Sequence, residues 1–149
     1  MEVAGMVARI IVKEEPARVF VDVGGLGAGV VDRLRELGYG NRVEAVNFGS
    51  KALDPDKYKN KRAECWSLMN DWLRELPVSI PDDDSLHADL MAPGYKYDSN
   101  SRLQLEDKDD IKRRGLASPD EADALALTFA SPVSSEPTVD PYAGFRRAG

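Results

Sequence analysis

The sequence predicts a single α/β domain, and three observations carry that expectation. A short apolar strand, a glycine-rich turn, an amphipathic helix and a second strand follow one another between Arg18 and Phe48. That order is the βαβ unit, whose strands lie parallel with a right-handed crossover. Most of the remaining apolar residues recur at helical spacing, which supplies helices to cover the sheet. The chain has 149 residues, 42% of them apolar, so it is one domain long and can bury one core.

The elements read as follows. Val3, Met6, Val7, Ile10 and Ile11 form a helical stripe over residues 1–14 that Pro16 ends. Arg18-Val19-Phe20-Val21-Asp22-Val23 is β-branched and aromatic, and it reads as a buried strand with Asp22 near its carboxyl end. Gly24-Gly25-Leu26-Gly27-Ala28-Gly29 is the turn, and Val30, Val31, Leu34 and Leu37 mark a helix stopped by Gly38 and Gly40. Arg42 to Phe48 is the second strand, and Gly49 to Asn60 is a polar loop. From Lys61 to Leu73, the apolar residues Ala63, Trp66, Leu68, Met69, Trp72 and Leu73 predict the longest amphipathic helix.

Pro81-Asp82-Asp83-Asp84 opens a further helix, its acids suited to a positive N-terminal end. Tyr95-Lys96-Tyr97 and Arg102-Leu103-Gln104-Leu105 flank the polar turn Asp98-Ser99-Asn100-Ser101, a hairpin pattern. Ser118-Pro119-Asp120-Glu121 predicts a last helix with Ser at the cap and Pro at the first helical position. Periodicity stops after Ala130. Residues 131–149 carry three prolines among small polar residues, which predicts a disordered tail or linker behind a domain of residues 1–130.

Composition excludes several functions. No apolar run approaches the roughly 18 residues that span a bilayer, and the N-terminus lacks a secretory signal pattern, so a cytoplasmic protein is expected. The one cysteine, Cys65, supports neither a disulfide nor a thiolate zinc cluster and reads as a small buried side chain. His87, the only histidine, has no nucleophile setting around it, so serine and cysteine hydrolase mechanisms have no support. The glycines Gly25-x-Gly27-x-Gly29 miss the dinucleotide spacing by one position, and a tight turn that draws the helix against the strand is the plainer reading.

The carboxylates carry more information. Asp22 stands in an otherwise apolar strand at the carboxyl end, where open α/β sheets place their sites, and a buried acid there must be paired, protonated or cation-bound. Asp120 and Asp123 are three residues apart at the start of a helix, which puts both on one side. Hard oxygen ligands from a strand end and a helix start suit Mg²⁺ or Mn²⁺ and two-metal phosphodiester chemistry, in which the metals stand about 4 Å apart. The net charge of −6 argues against a basic coat, yet Lys57-x-Lys59-x-Lys61-Arg62 and Lys108 with Lys112-Arg113-Arg114 are local basic clusters. Beside a metal site, contact with phosphates is the better reading of them.

Three blocks, VFVDVGGLGAGVVDRLRELGY, VNFGSKALDPDKYKNKRAECW and YKYDSNSRLQLEDKDDIKRRGLASPDEADALALTFA, resemble successive parts of the nuclease domain of tailed-phage terminase large subunits. The resemblance covers about residues 1–130. It implies a ribonuclease H-like (resolvase-type) fold and a metal-dependent endonuclease that cuts concatemeric viral DNA during packaging, in the host cytoplasm. In its terms Asp22 is the acid before the glycine turn, and Asp120 or Asp123 is the last metal-binding acid, members differing over which. Mg²⁺ or Mn²⁺ is then the cofactor and double-stranded DNA the substrate, with Lys61, Arg62, Lys112, Arg113 and Arg114 on its backbone. The implied partners are the packaging ATPase domain, the small terminase subunit and the portal, with no membrane. The family's first metal-binding Asp lies on an antiparallel hairpin ahead of the helix that starts here at Met1, and neither that hairpin nor the ATPase is in this sequence. The resemblance therefore implies the C-terminal part of a large subunit, with a catalytically inactive prophage remnant that only binds DNA or assembles as the alternative.

Overall fold

The computed structural model describes residues 2–134. Its centre is a pair of parallel strands, β1 (Val19–Asp22) and β2 (Val43–Val46), in the register Val19 to Val43 and Asp22 to Val46. Side chains alternate across a strand, so the pair has two differently clad faces. Val19, Val21 and Val43 pack against α1 (Glu2–Glu14) and α2 (Gly27–Leu34), around the buried Ala4, Ile11, Val31 and Leu34. Phe20 and Val46 pack on the opposite side, in the larger core of Trp66, Met69, Ala122 and Ala126. That second layer is α3 (Lys61–Arg74) with α6 (Asp120–Leu127), and α4 (Asp84–Met91) lies against α6. Helices thus cover both faces of the strand pair, as a parallel sheet requires.

The turn after β1 is built as its glycines predict. Gly24 N–H donates to Asp22 Oδ1 at 2.9 Å, and a Cβ on Gly27 would overlap the carbonyl oxygen of Asp22. Only glycine lets α2 start so close to the strand. Helix α2 runs on into a wider π turn, Arg35–Tyr39, which ends around Gly38 at φ +91°.

The long loop before α3 is held from inside the fold. Glu64 Oε1 and Oε2 accept the N–H groups of Asp54 and Leu53, and Lys61 Nζ donates to Glu64 Oε2 at 2.8 Å. Burial raises the Glu64 carboxyl, but the bond from Lys61 and the two backbone bonds outweigh it and leave it below its ordinary value. Asn60 caps α3 through Ala63 N–H, and Asp83 caps α4 through the N–H groups of Ser85 and Leu86.

The hairpin lies where the sequence puts it, with β3 (Tyr95–Tyr97) antiparallel to β4 (Leu103–Leu105). Asp98 closes its turn by accepting from the N–H groups of Asn100 and Arg102 and from the Arg102 guanidinium.

Two expectations are corrected, and one helix was not expected. A short helix, α5 (Lys108–Arg113), occupies residues that carry no sequence signal beyond their charges. Ser118 does not cap α6; Pro119 takes the cap position, and Ser118 Oγ donates to Asp120 Oδ1 instead, at 2.7 Å. Asp22 is not buried, because as the last residue of β1 it stands at the open carboxyl end of the pair. Residues 131–134 have no regular secondary structure, and the rest of the expected tail lies outside the described residues. No helix among the described residues is long and apolar enough to cross a membrane.

Candidate functional site

The candidate acids stand on two elements, Asp22 at the carboxyl end of β1 and Asp120 and Asp123 in the first turn of α6. Phe20 packs towards α6, and Asp22, two residues on, shares its side of the strand. The side chain of Asp22 is exposed, held by its bond from Gly24 N–H. The next strand end repeats the arrangement: Asn47 Oδ1 accepts from Gly49 N–H at 2.9 Å. Asp22 Oδ1 and Asn47 Oδ1 lie 3.2 and 3.9 Å from the point where a Gly24 Cβ would stand, so both amide and carboxylate border this glycine.

Helix α6 supplies the other acids, and it is fixed from a distance. Asp89 on α4 is buried, and its Oδ2 accepts Glu121 N–H at 2.9 Å, which provides the cap that α6 lacks in its own sequence. Asp120 is exposed. Asp123, one turn further in, is buried at 5% exposure, and its Oδ1 accepts from Arg62 Nε at 3.0 Å and Trp66 Nε1 at 2.8 Å. Its Oδ2 is paired with Lys108 Nζ at 2.9 Å, and the same ammonium reaches Asp120 Oδ1 at 3.0 Å. Lys108 therefore bridges the two acids, which confirms that they share one side of α6.

The electrostatics follow from that bridge. Burial pulls the Lys108 ammonium down, yet bonds to Asp123 and Asp120 outweigh it and hold its pKa above the ordinary lysine value. Asp120 is held below its ordinary value by the Ser118 hydroxyl and then by Lys108, with a smaller contribution from Lys112. Burial pushes the Cys65 thiol up to about 11, so it stays protonated and inert, as its small-side-chain reading requires.

The basic residues divide. Lys61 is buried against Glu64, and Arg62 joins Asp123 Oδ1 to the backbone carbonyl of Glu106. Arg114 binds Glu106 through Nε and Nη2 and also reaches the carbonyl of Ala92. Arg113 pairs with Asp110 but remains largely exposed, and Lys112 is exposed with no ion pair among the described residues. Sequence reasoning missed Asp89 and Trp66 as partners of the site, which they reach across 32 and 57 residues, and read Lys108 as a phosphate contact rather than as the partner of Asp120 and Asp123.

Comparison of this fold with solved structures returns the nuclease domain of the large terminase subunit gp2 of bacterial virus Sf6. The superposition covers 87% of this chain and 72% of that one, at TM-score 0.67 and 23% identity. The fold is that of a phage large-terminase nuclease domain, ribonuclease H-like. Variants of the same Sf6 domain match as well, one with calcium at TM-score 0.67 and 23% identity, over 87% of this chain and 71% of that one. Another, with manganese and beta-thujaplicinol, matches at TM-score 0.68 and 21% identity, over 89% of this chain and 73% of that one. No protein-family model and no curated protein matches the sequence.

Asp22, Asp120 and Asp123 are hard oxygen donors of the kind that divalent ions take. The buried Asp123 Oδ2 already faces the ammonium of Lys108, a cationic position that a divalent ion could take in its place. Among the described residues, however, no three acidic, histidine or cysteine side chains are gathered as a ready metal cluster. Lys108 holds the cationic position between Asp120 and Asp123.

Proposed function

We infer that this chain is a metal-dependent DNA endonuclease domain of the terminase large-subunit type, acting on double-stranded viral DNA in the host cytoplasm. The observation that supports the reading is a fold that matches terminase nuclease domains, with Asp120 and a buried Asp123 in the first turn of α6 and Asp22 at the end of the strand that packs against that helix. Asp22, Asp120 and Asp123 would hold Mg²⁺ or Mn²⁺. Bound there, the metals would supply an activated water and stabilise the leaving oxygen of the phosphodiester.

The chain's own residues do the rest. Asp89 and Trp66 fix α6 and its second acid in place. Arg62 pairs with one oxygen of Asp123, and Lys108 holds the cationic position at the other, which a metal ion would take over. Lys112 and Arg113 are exposed on α5, with Lys112 near enough to Asp120 to act on its charge, and would meet the DNA backbone without reading sequence. Lys61 and Arg62 act from inside, through Glu64 and Asp123. The packaging ATPase domain, small subunit and portal are the partners that this reading implies.

The test is nicking of supercoiled plasmid with Mn²⁺ and with Mg²⁺, by the full chain and by Asp22→Ala. Cleavage that needs the metal and disappears in Asp22→Ala is expected. Cleavage that survives both EDTA and Asp22→Ala would overturn the assignment.

A further inference from the structure

A groove of about 340 Å³ opens at the carboxyl end of β2 and runs along the edge of that strand that faces away from β1. Asn47, Ser50 and Lys51 line the end next to Asp22; Glu44 and Ser131 line the other. The two ends differ in charge. At the far end the Glu44 carboxylate accepts from Ser131 Oγ at 2.8 Å, which leaves an acidic wall. At the near end Lys51 is exposed and makes no ion pair or hydrogen bond among the described residues.

Asn47 contributes a donor. Its Oδ1 must be the atom that accepts Gly49 N–H, which assigns the amide and leaves the two N–H groups of Nδ2 without a partner. The Ser50 hydroxyl is turned back onto the Asn47 carbonyl at 2.6 Å, so it stiffens the turn that carries both residues. A free amide donor and a free ammonium thus stand on one short turn, and the Asn47 amide borders Gly24 together with Asp22. An amide donor and an ammonium together suit a singly charged, oxygen-rich anion.

We propose that Asn47 and Lys51 form a phosphate subsite, which holds a backbone phosphodiester of the DNA strand adjacent to the one presented to Asp22. The proposal rests on the nuclease reading for the identity of the strand. Its chemistry, amide and ammonium on phosphate oxygens, would serve free phosphate equally, and the experiment separates the two. A phosphate held one step along the backbone fixes the strand's register against the carboxylates, and positioning of this kind lowers the barrier without contributing a reacting group.

The experiment is a ¹H–¹⁵N titration of the full chain without divalent metal, so that no cutting occurs. A short DNA duplex is one probe, inorganic phosphate a second and an uncharged nucleoside a third. Saturable shifts of the Asn47 side-chain amide and the Lys51 backbone N–H are expected with the duplex, and none with the nucleoside. Lys51→Gln, an exposed change that leaves the turn intact, should weaken duplex binding about fivefold and reduce its salt slope by about one. Asn47→Ala should weaken it further.

Duplex binding that leaves both signals unmoved, or a Lys51→Gln variant with unchanged affinity and salt slope, would overturn the subsite. So would shifts with inorganic phosphate alone. Failure of plasmid cleavage alongside these shifts would instead remove the nuclease reading and leave the phosphate subsite standing.

Discussion

Asp22 and Asp123 have the same side chain in opposite settings, and substitution should separate them. Asp123 is the buried anchor of Arg62, Trp66 and Lys108. Replacing it with Ala strands a buried guanidinium and an indole N–H, and removal of one partner from a buried pair costs about 3–5 kcal/mol. Asp22 is exposed, with one local bond to Gly24 N–H, so Asp22→Ala should change stability by less than about 1 kcal/mol while abolishing metal-dependent nicking. Urea denaturation followed by tryptophan fluorescence checks both, and equal losses would refute the contrast. Lys108 supplies a third outcome. Its ammonium stands 3.0 and 2.9 Å from oxygens of Asp120 and Asp123, and its raised pKa keeps it charged through the neutral range. A divalent ion entering there has to displace it, so Lys108→Ala should tighten Mn²⁺ binding by about tenfold, ~1.4 kcal/mol, by calorimetry. Unchanged or weaker binding would show that Lys108 supports the site rather than competing for it. Sequence made Asp22, Asp120 and Asp123 legible because an acid in an apolar strand and acids spaced three apart need no partner to be noticed. It could not show which acid is buried, since Trp66 and Arg62 lie 57 and 61 residues from Asp123.

At the level of elements, the hairpin and α5 are locked to the site through a single carboxylate. Glu106, just after β4, accepts Gly94 N–H and two bonds from Arg114, while its carbonyl accepts from Arg62 Nη1. Arg114 first and the Gly94 bond second hold the Glu106 carboxyl at about 2, against 4.5 for an unperturbed glutamate. A folded-state pKa below the unfolded one means that this contribution is complete above about pH 4.5 and is lost as pH falls towards about 2. The amides of Gly94 and Glu106 should therefore lose hydrogen-exchange protection across that window before the core of α3 does, and Glu106→Gln should remove the pH dependence. Uniform loss across the chain would refute it. The hairpin itself was legible from its turn residues, and α3 from its spacing. Helix α5 was not, because its buried contact is the one residue Ile111, too little apolar periodicity to register. The cap of α6 was misread for a related reason: Ser118 fits the local pattern, but Asp89 reaches Glu121 N–H from another helix, and local sequence carries no trace of a bond made in three dimensions.

The whole molecule was legible as an α/β sandwich because Val19, Phe20, Val21 and Val46 are apolar on both faces, as only a doubly covered strand pair demands. What that pattern cannot encode is whether the pair is complete. Val19 N–H donates to Arg42 and Val23 N–H to Val46, so the odd-numbered residues of β1 face β2, and Phe20 and Asp22 turn their backbone groups to an edge with no partner strand among the described residues. An unpaired edge of this kind is a template for another strand. Helix α1 adds a second exposed surface: Ala4 and Ile11 are buried against α2, yet Val3, Met6 and Ile10 are each at least half exposed on a neighbouring stripe. A helix apolar on more than the face it buries leaves area that water disfavours, about 25 cal/mol for each Å². Edge and stripe together should make the chain associate with itself, the net charge of −6 opposing this most strongly at low salt. Sedimentation equilibrium should show a mass that rises with protein concentration and with added salt. The double variant Met6→Glu, Ile10→Glu should return it to 16.4 kDa, the monomer, without unfolding it, because neither side chain belongs to the buried core. A wild-type chain that remains monomeric at high concentration and high salt would show that the edge is already blunted, and would direct attention to the strand end at Asp22, where the Gly24 and Gly27 turn folds back over the last residue of β1.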